Sequence, residues 1–207
     1  TYSACTQAAG TRTVIFTGTN TGANTLSANM TNGSTGTVSV SKSGAGKWVL
    51  SGATLSYTGT TTVSAGTLNL GSANRTLSGA ISVSGGTLEN STNTVAAPSV
   101  TMTGGTVTAG ITSTTTLTVN SGSAASLNPT NNANTFSGAT TVASGGVLQL
   151  YTGASPASAA TGRVLGTSAV SVTGAIKTGN PTGTQKGQMR YGGNLTFNSG
   201  AALYIGS

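Results

Sequence analysis

The chain has 207 residues, of which 35% are hydrophobic and only 4% aromatic, so any core must be built from Val, Leu, Ile and Ala. This length suffices for one elongated domain with a substantial core. Histidine is absent and Glu89 is the sole acid, which excludes catalysis by a serine–histidine or cysteine–histidine pair and by two carboxylates. We therefore expect no enzyme activity, no catalytic residue, no cofactor and no metal site.

Charged residues make up only 4% of the chain, and the net charge of +7 comes from eight scattered basic residues. The chain has neither the basic cluster nor the aromatic-rich motif that accompany nucleic-acid binding, so we expect no specific nucleic acid as a partner. Contact with glycans or with anionic surface polymers stays open. No apolar run approaches the length of a transmembrane helix, so no membrane insertion is expected.

Residues 1–36 are small and polar, and we interpret them as a lead-in segment that caps the fold or docks another molecule. Cys5 is the sole cysteine and cannot form an internal disulfide, which leaves a free thiol or an intermolecular bridge. Val14, Ile15 and Phe16 belong to the first strand candidate of the chain.

A short unit recurs through residues 37–207, which we assign to the body of the domain. The unit has an apolar residue, two small residues, usually a Gly, a small residue and a second apolar residue; its copies are 63–68, 83–88, 102–107, 119–124 and 142–147. Alternating apolar positions predict strands, and Gly permits a bend between them at low steric cost. Copies that recur after roughly 17 to 30 residues, commonly about 20 to 25, must stack on their neighbours, which predicts a β-solenoid. The residues expected to share its core are Val63, Leu68, Val83, Leu88, Met102, Val107, Val119 and Val142.

A longer pattern surrounds the first copy of this unit. It comprises Lys42, Gly44, Gly46, Trp48, Leu50, Ser51, Gly52, Tyr57, Thr58, Gly59, Thr61, Thr62, Val63, Gly66, Leu68 and Leu70, and residues 134–150 repeat much of it. With these residues the chain resembles the autotransporter-associated β-strand repeat of bacterial surface-protein passenger regions. The resemblance implies a secreted, all-β, right-handed parallel β-solenoid (β-helix) that forms a single elongated domain. The repeat has no catalytic residues that could be transferred to this chain.

Three aromatic residues take positions that the repeat pattern explains. Trp48 is expected to pack in the core or on a turn, with a sugar-stacking platform as the alternative. Tyr57 and Phe136 stand in equivalent Tyr-Thr-Gly and Phe-Ser-Gly contexts, which favours a packed aromatic position over a ligand site.

Two loop insertions interrupt the body near residues 151–163 and 177–190, and either could contact a neighbouring molecule or a glycan. The chain then ends in a strand pattern that includes Leu203, Tyr204 and Ile205, and no polar cap follows it. Charge is a common means of blunting an exposed strand edge, and this chain has little of it. We therefore expect Cys5, Val14, Ile15, Phe16, Leu203, Tyr204 and Ile205 to form the contacts of an assembly.

Three functions fit these observations. The first is a structural, secreted subunit that stacks head to tail with copies of itself into an extracellular or cell-surface filament. The second is a fragment of an autotransporter-like surface adhesin passenger. The third is a polysaccharide-binding module, which would require aromatic clusters on one face. Glu89 could also promote a Lys–Asn isopeptide crosslink, although an ordinary surface glutamate is the simpler interpretation.

Overall fold

The computed structural model describes residues 4–5, 10–33, 35–120, 125–127, 134–150, 169–178 and 195–205. These residues form strands, turns and bends, and none of them is helical. In the first half the strands are β1 Ala4–Cys5, β2 Gly10–Phe16, β3 Ala23–Leu26, β4 Asn29–Thr31, β5 Gly36–Lys42, β6 Lys47–Leu50, β7 Leu55–Ser56, β8 Thr61–Val63, β9 Thr67–Asn69, β10 Arg75–Thr76, β11 Ile81–Val83 and β12 Thr87–Glu89. In the second half they are β13 Thr94–Ala96, β14 Ser99–Met102, β15 Thr106–Val107, β16 Gly110–Thr112, β17 Thr116–Val119, β18 Ala125–Leu127, β19 Thr140–Val142, β20 Val147–Leu150, β21 Val170–Val172, β22 Ala175–Thr178, β23 Leu195–Phe197 and β24 Ala202–Ile205.

In the described part of the chain, the strands stack into two long parallel sheets of nine strands each. Sheet I has the order β2-β5-β8-β11-β14-β17-β19-β21-β23, and sheet II has the order β3-β6-β9-β12-β15-β18-β20-β22-β24. Two smaller sheets, β1-β4-β7 and β10-β13-β16, lie along the same coils. Because each coil adds one strand to sheet I and one to sheet II, the chain is an all-β parallel solenoid, as the sequence predicted.

The apolar residues of the repeated unit form one continuous core between the sheets. All eight residues expected there are 0% exposed and belong to a single buried cluster. Tyr57 and Phe136 are buried in the same cluster, and Trp48 packs against it, so the prediction of packed aromatic positions is confirmed.

Glycine permits the tight bend between the two strands of a unit. Gly66, Gly105 and Gly145 have φ angles of 62°, 73° and 75°, a region that residues with a Cβ rarely adopt. At a second kind of position, glycine permits close stacking of coils: a Cβ built on Gly79 would lie 1.9 Å from the carbonyl oxygen of Gly59 in the coil before.

The outer surface of sheet I carries a row of hydroxyl side chains. Residues paired in register along this row are Ser41, Thr62, Ser82, Thr101, Thr118, Thr141, Ser171 and Thr196. They alternate with core residues on each strand, as the period of two in a half-buried strand requires. This face of sheet I is therefore polar without being charged.

The structure bears differently on the N-terminal segment, residues 1–36, and on the two loop insertions. Strands β2 and β3 already pair into the long sheets, so a first coil lies within residues 1–36, which the sequence assigned to a lead-in or docking segment. The boundary at residue 36 stays a prediction. The insertion at 151–163 and most of the insertion at 177–190 lie outside the described residues.

Candidate docking surfaces at the solenoid ends

The C-terminal end of the solenoid is formed by β23 and β24, the last strands of sheets I and II. Phe197 is in register with Val172, and Leu203 is in register with Ile176. Val172 and Ile176 are 0% exposed, whereas Phe197 is 40% and Leu203 36% exposed. Residues at core positions are thus exposed at this end, because no further strand covers them in the part of the chain that the structure describes.

The N-terminal end is formed by β2 and β3, and it is better closed. Phe16 is buried, and its ring centroid lies 5.1 Å from that of Trp48 in the next coil. The indole Nε1 of Trp48 donates a hydrogen bond to the carbonyl oxygen of Thr17 at 2.9 Å. Val14 and Leu26 are half-buried and pack against the core. Trp48 therefore has a structural role, fixing the first coil onto the second.

Ile15 occupies a different position from its neighbours on β2. It pairs with Ser41, so it belongs to the outward row of sheet I, and it is 63% exposed. Among the described residues, the large exposed hydrophobic side chains are Ile15, Phe197 and Leu203, and all three lie on terminal strands. Apolar exposure is thus concentrated at the two ends of the solenoid.

Backbone pairing gives the positions of the other residues that the sequence predicted to form assembly contacts, Cys5, Tyr204 and Ile205. Cys5 lies on β1 and pairs with Met30 on β4. Tyr204 and Ile205 lie on β24 and pair with Lys177 and Thr178. The structure therefore places Val14, Ile15 and Phe16 at one end, and Leu203, Tyr204 and Ile205 at the other.

The sequence alone did not indicate which strands would face each other between two molecules. Strand β2 begins sheet I and β24 ends sheet II. In a stack that continues both sheets, β23 meets β2 and β24 meets β3. Phe197 and Leu26 are thus two docking candidates that the sequence reasoning did not select. Counting the coils would have indicated them, because residues 195–197 occupy the same place in the repeat as residues 61–63.

Among the described residues, the charged side chains near these ends are positive. Arg12 is exposed on β2, and Lys177 is exposed on β22, one strand in from the C-terminal end. Glu89 lies in the middle of the body, on β12. Contact between the two ends would therefore depend on apolar burial and backbone hydrogen bonds, and like charge would oppose it at low salt.

Two buried cationic side chains hold successive coils together. Lys42 is 0% exposed, and its Nζ donates to the carbonyl oxygens of Gly44 and, at 3.0 Å, Ala65. Arg75 is 8% exposed, and its guanidinium donates to three carbonyl oxygens of neighbouring turns at 2.8 to 3.0 Å. Desolvation by burial lowers the pKa of both groups. These cations stabilise turns, and their burial keeps them away from any ligand.

The fold defines a structural class, an all-β parallel solenoid. Comparison with family models places the chain more narrowly: the passenger-associated-transport-repeat model matches residues 40–70, 65–89 and 127–150. Over these residues the chain thus carries the autotransporter-associated repeat that its sequence indicated. The searches among curated proteins and among solved structures gave no match. No helix of the described residues is long and apolar enough to cross a membrane.

Proposed function

We propose that this chain is a secreted, non-catalytic structural protein whose copies stack head to tail into an extracellular filament. The observation that carries the proposal is the exposure of Phe197 and Leu203 at positions that are buried in the preceding coil. A second molecule that places its first coil on β23 and β24 would bury both side chains. Each would contribute roughly 1 kcal/mol, since more than half of each is buried already.

Backbone hydrogen bonding supports the same contact. Among the described strands, β2 and β23 are the edge strands of sheet I and β3 and β24 those of sheet II, so a parallel strand of another molecule can add to each. The two ends have different surfaces, so the contact is heterologous. A heterologous contact that does not close into a ring produces an open filament.

Substitution at the C-terminal end tests this proposal. Phe197→Lys combined with Leu203→Lys should leave the fold intact, because each side chain is more than a third exposed on the last strand of its sheet, and should abolish self-association. Thr141→Lys is the matched control, since it adds a charge to the exposed outer row of sheet I on β19, two strands in from β23. Sedimentation velocity would show monomers for the double variant, and filaments for both the parent and the control.

A mixing experiment tests the head-to-tail geometry. The double variant keeps an intact N-terminal end, so it should add to the C-terminal end of a growing filament and stop further growth there. A small fraction of the variant should then shorten the filaments of the parent. If the variant has no effect on filament length, or if the control also dissociates, the contact is not the one proposed.

Salt concentration gives an independent readout. The net charge is +7 and the chain has one acid, so subunits repel one another most strongly at low ionic strength. Assembly should therefore strengthen as salt is raised towards about 0.5 M, because salt shortens the screening length.

The repeat matches favour a second candidate, in which this chain is a segment of a longer adhesin passenger. The next coil of the same polypeptide would then cover β23 and β24. Denaturing gel electrophoresis of the material on the cell surface separates the two candidates. A polypeptide near 19.9 kDa supports the filament subunit, and a much larger polypeptide supports the passenger segment.

A further inference from the structure

The sole acid of the chain contacts both a lysine and an asparagine. The Nζ of Lys47 lies 2.7 Å from Oε2 of Glu89, and the Nδ2 of Asn69 donates to the same oxygen at 3.3 Å. The three residues lie on β6, β9 and β12, which are consecutive strands of sheet II. Asn69 pairs with Glu89 in register, while Lys47 reaches past β9 to the carboxylate. An amine, a carboxamide and a carboxylate are thus brought together from three coils.

The amide of Asn69 is held in a defined orientation. Its Oδ1 accepts a hydrogen bond from the backbone N–H of Gly71 at 2.8 Å, and its Nδ2 also donates to Oγ of Ser91 at 3.4 Å. Asn69 is only 7% exposed, whereas Lys47 and Glu89 keep about a third of their side chains exposed (33% and 27%). The carbonyl carbon that a nucleophile would attack is therefore shielded from water, while a proton can reach the carboxylate.

We propose that Lys47 and Asn69 form an intramolecular isopeptide bond, with Glu89 as the proton carrier. In the first step a proton passes from the ammonium of Lys47 to the carboxylate of Glu89 along their hydrogen bond. The neutral Nζ then attacks Cγ of Asn69, and the N–H of Gly71 stabilises the negative charge that develops on Oδ1. Glu89 returns its proton to Nδ2, the Cγ–Nδ2 bond breaks, and ammonia leaves. The second proton on Nζ passes to the carboxylate and on to the departing ammonia.

The step balances without an oxidant, a reductant or a second substrate. One lysine ammonium and one carboxamide become one secondary amide and one ammonium ion. The new bond joins β6 to β9, two adjacent coils. Cys5 is the sole cysteine, so a covalent tie between coils cannot be an internal disulfide. As a bare ion pair with both side chains about a third exposed, Lys47 and Glu89 would contribute little to stability.

The mass of the folded, purified chain tests the proposal directly. After denaturation the chain should weigh one ammonia less than its sequence. Trypsin should fail to cleave after Lys47 and should release residues 43–75 as one peptide, closed into a loop by the new amide and one ammonia lighter than its sequence. A chain with the full sequence mass, cut normally after Lys47, would contradict the proposal.

Two variants identify the source of a lost ammonia. Lys47→Arg keeps a cation beside Glu89 but cannot form this amide, and it should restore the full mass. Glu89→Gln keeps the shape but cannot carry the proton, and it should slow the loss of ammonia by about 100-fold or more. Circular dichroism confirms that each variant has folded. If the ammonia is still lost in Lys47→Arg, it comes from another reaction, such as succinimide formation at Asn32 and Gly33, and the crosslink is refuted.

Discussion

Replacing Val83 with aspartate tests whether this position of sheet I faces the core. Val83 is 0% exposed on β11 and lies in register between Val63 and Met102, which are also fully buried. Burial of the valine side chain contributes roughly 2 kcal/mol. An unpaired carboxyl group in its place adds about 1 to 3 kcal/mol, even if the group takes up a proton. Val83→Asp should therefore lower the free energy of unfolding by about 4 kcal/mol.

The neighbouring residue supplies the control. Ser82 lies on the same strand but in the outward row, in register with Thr62 and Thr101, and it is partly exposed. Ser82→Asp should change the unfolding free energy by no more than about 0.5 kcal/mol. Denaturant titrations followed by circular dichroism and by the fluorescence of Trp48 measure both variants. Equal effects at the two positions would refute the alternation of buried and outward residues described here.

Two further predictions concern stacking and pH. Gly79→Ala should cost about 3 kcal/mol, because its Cβ would meet the Gly59 carbonyl oxygen at 1.9 Å and the coils cannot separate without breaking their ladder. Gly22→Ala is its control, since the nearest atom is a side-chain oxygen at 3.2 Å, and both are compared by their denaturation midpoints. Burial raises the pKa of Tyr57 to about 12 from 10.0, so this residue stabilises the fold fully below pH 10, and that contribution is lost as the pH rises through 12. Relative to Tyr57→Phe, the parent should lose roughly 2 kcal/mol between pH 10 and 12, and parallel curves for the two proteins would contradict this.

The core could be predicted from the sequence because its signal is local. Val83 and Leu88 belong to a unit of six residues, and alternation within that unit already decides which side chains point inward. The bend at Gly66 is part of the same unit, and its φ of 62° agrees with the expectation. Buried positions and bends of this kind can be predicted without knowing which coils are adjacent.

Features that join distant coils could not be predicted in the same way. Lys47, Asn69 and Glu89 meet because β6, β9 and β12 stack in a particular register, and that register depends on turns of unequal length. The partner of an edge strand depends on the same stacking register, so the sequence alone does not indicate Phe197 as a docking residue. Ile15 was selected for its hydrophobicity, and the register then placed it in the outward row.

Electron microscopy of the purified chain tests head-to-tail stacking most directly. Nine strands per sheet, about 4.8 Å apart, predict unbranched filaments with an axial repeat of roughly 40 Å. Fibre diffraction from the same sample should show the strand spacing along the filament axis, because the strands stack in that direction. Isolated particles at high protein concentration, with light scattering that reports monomers, would contradict the proposal that the two ends dock.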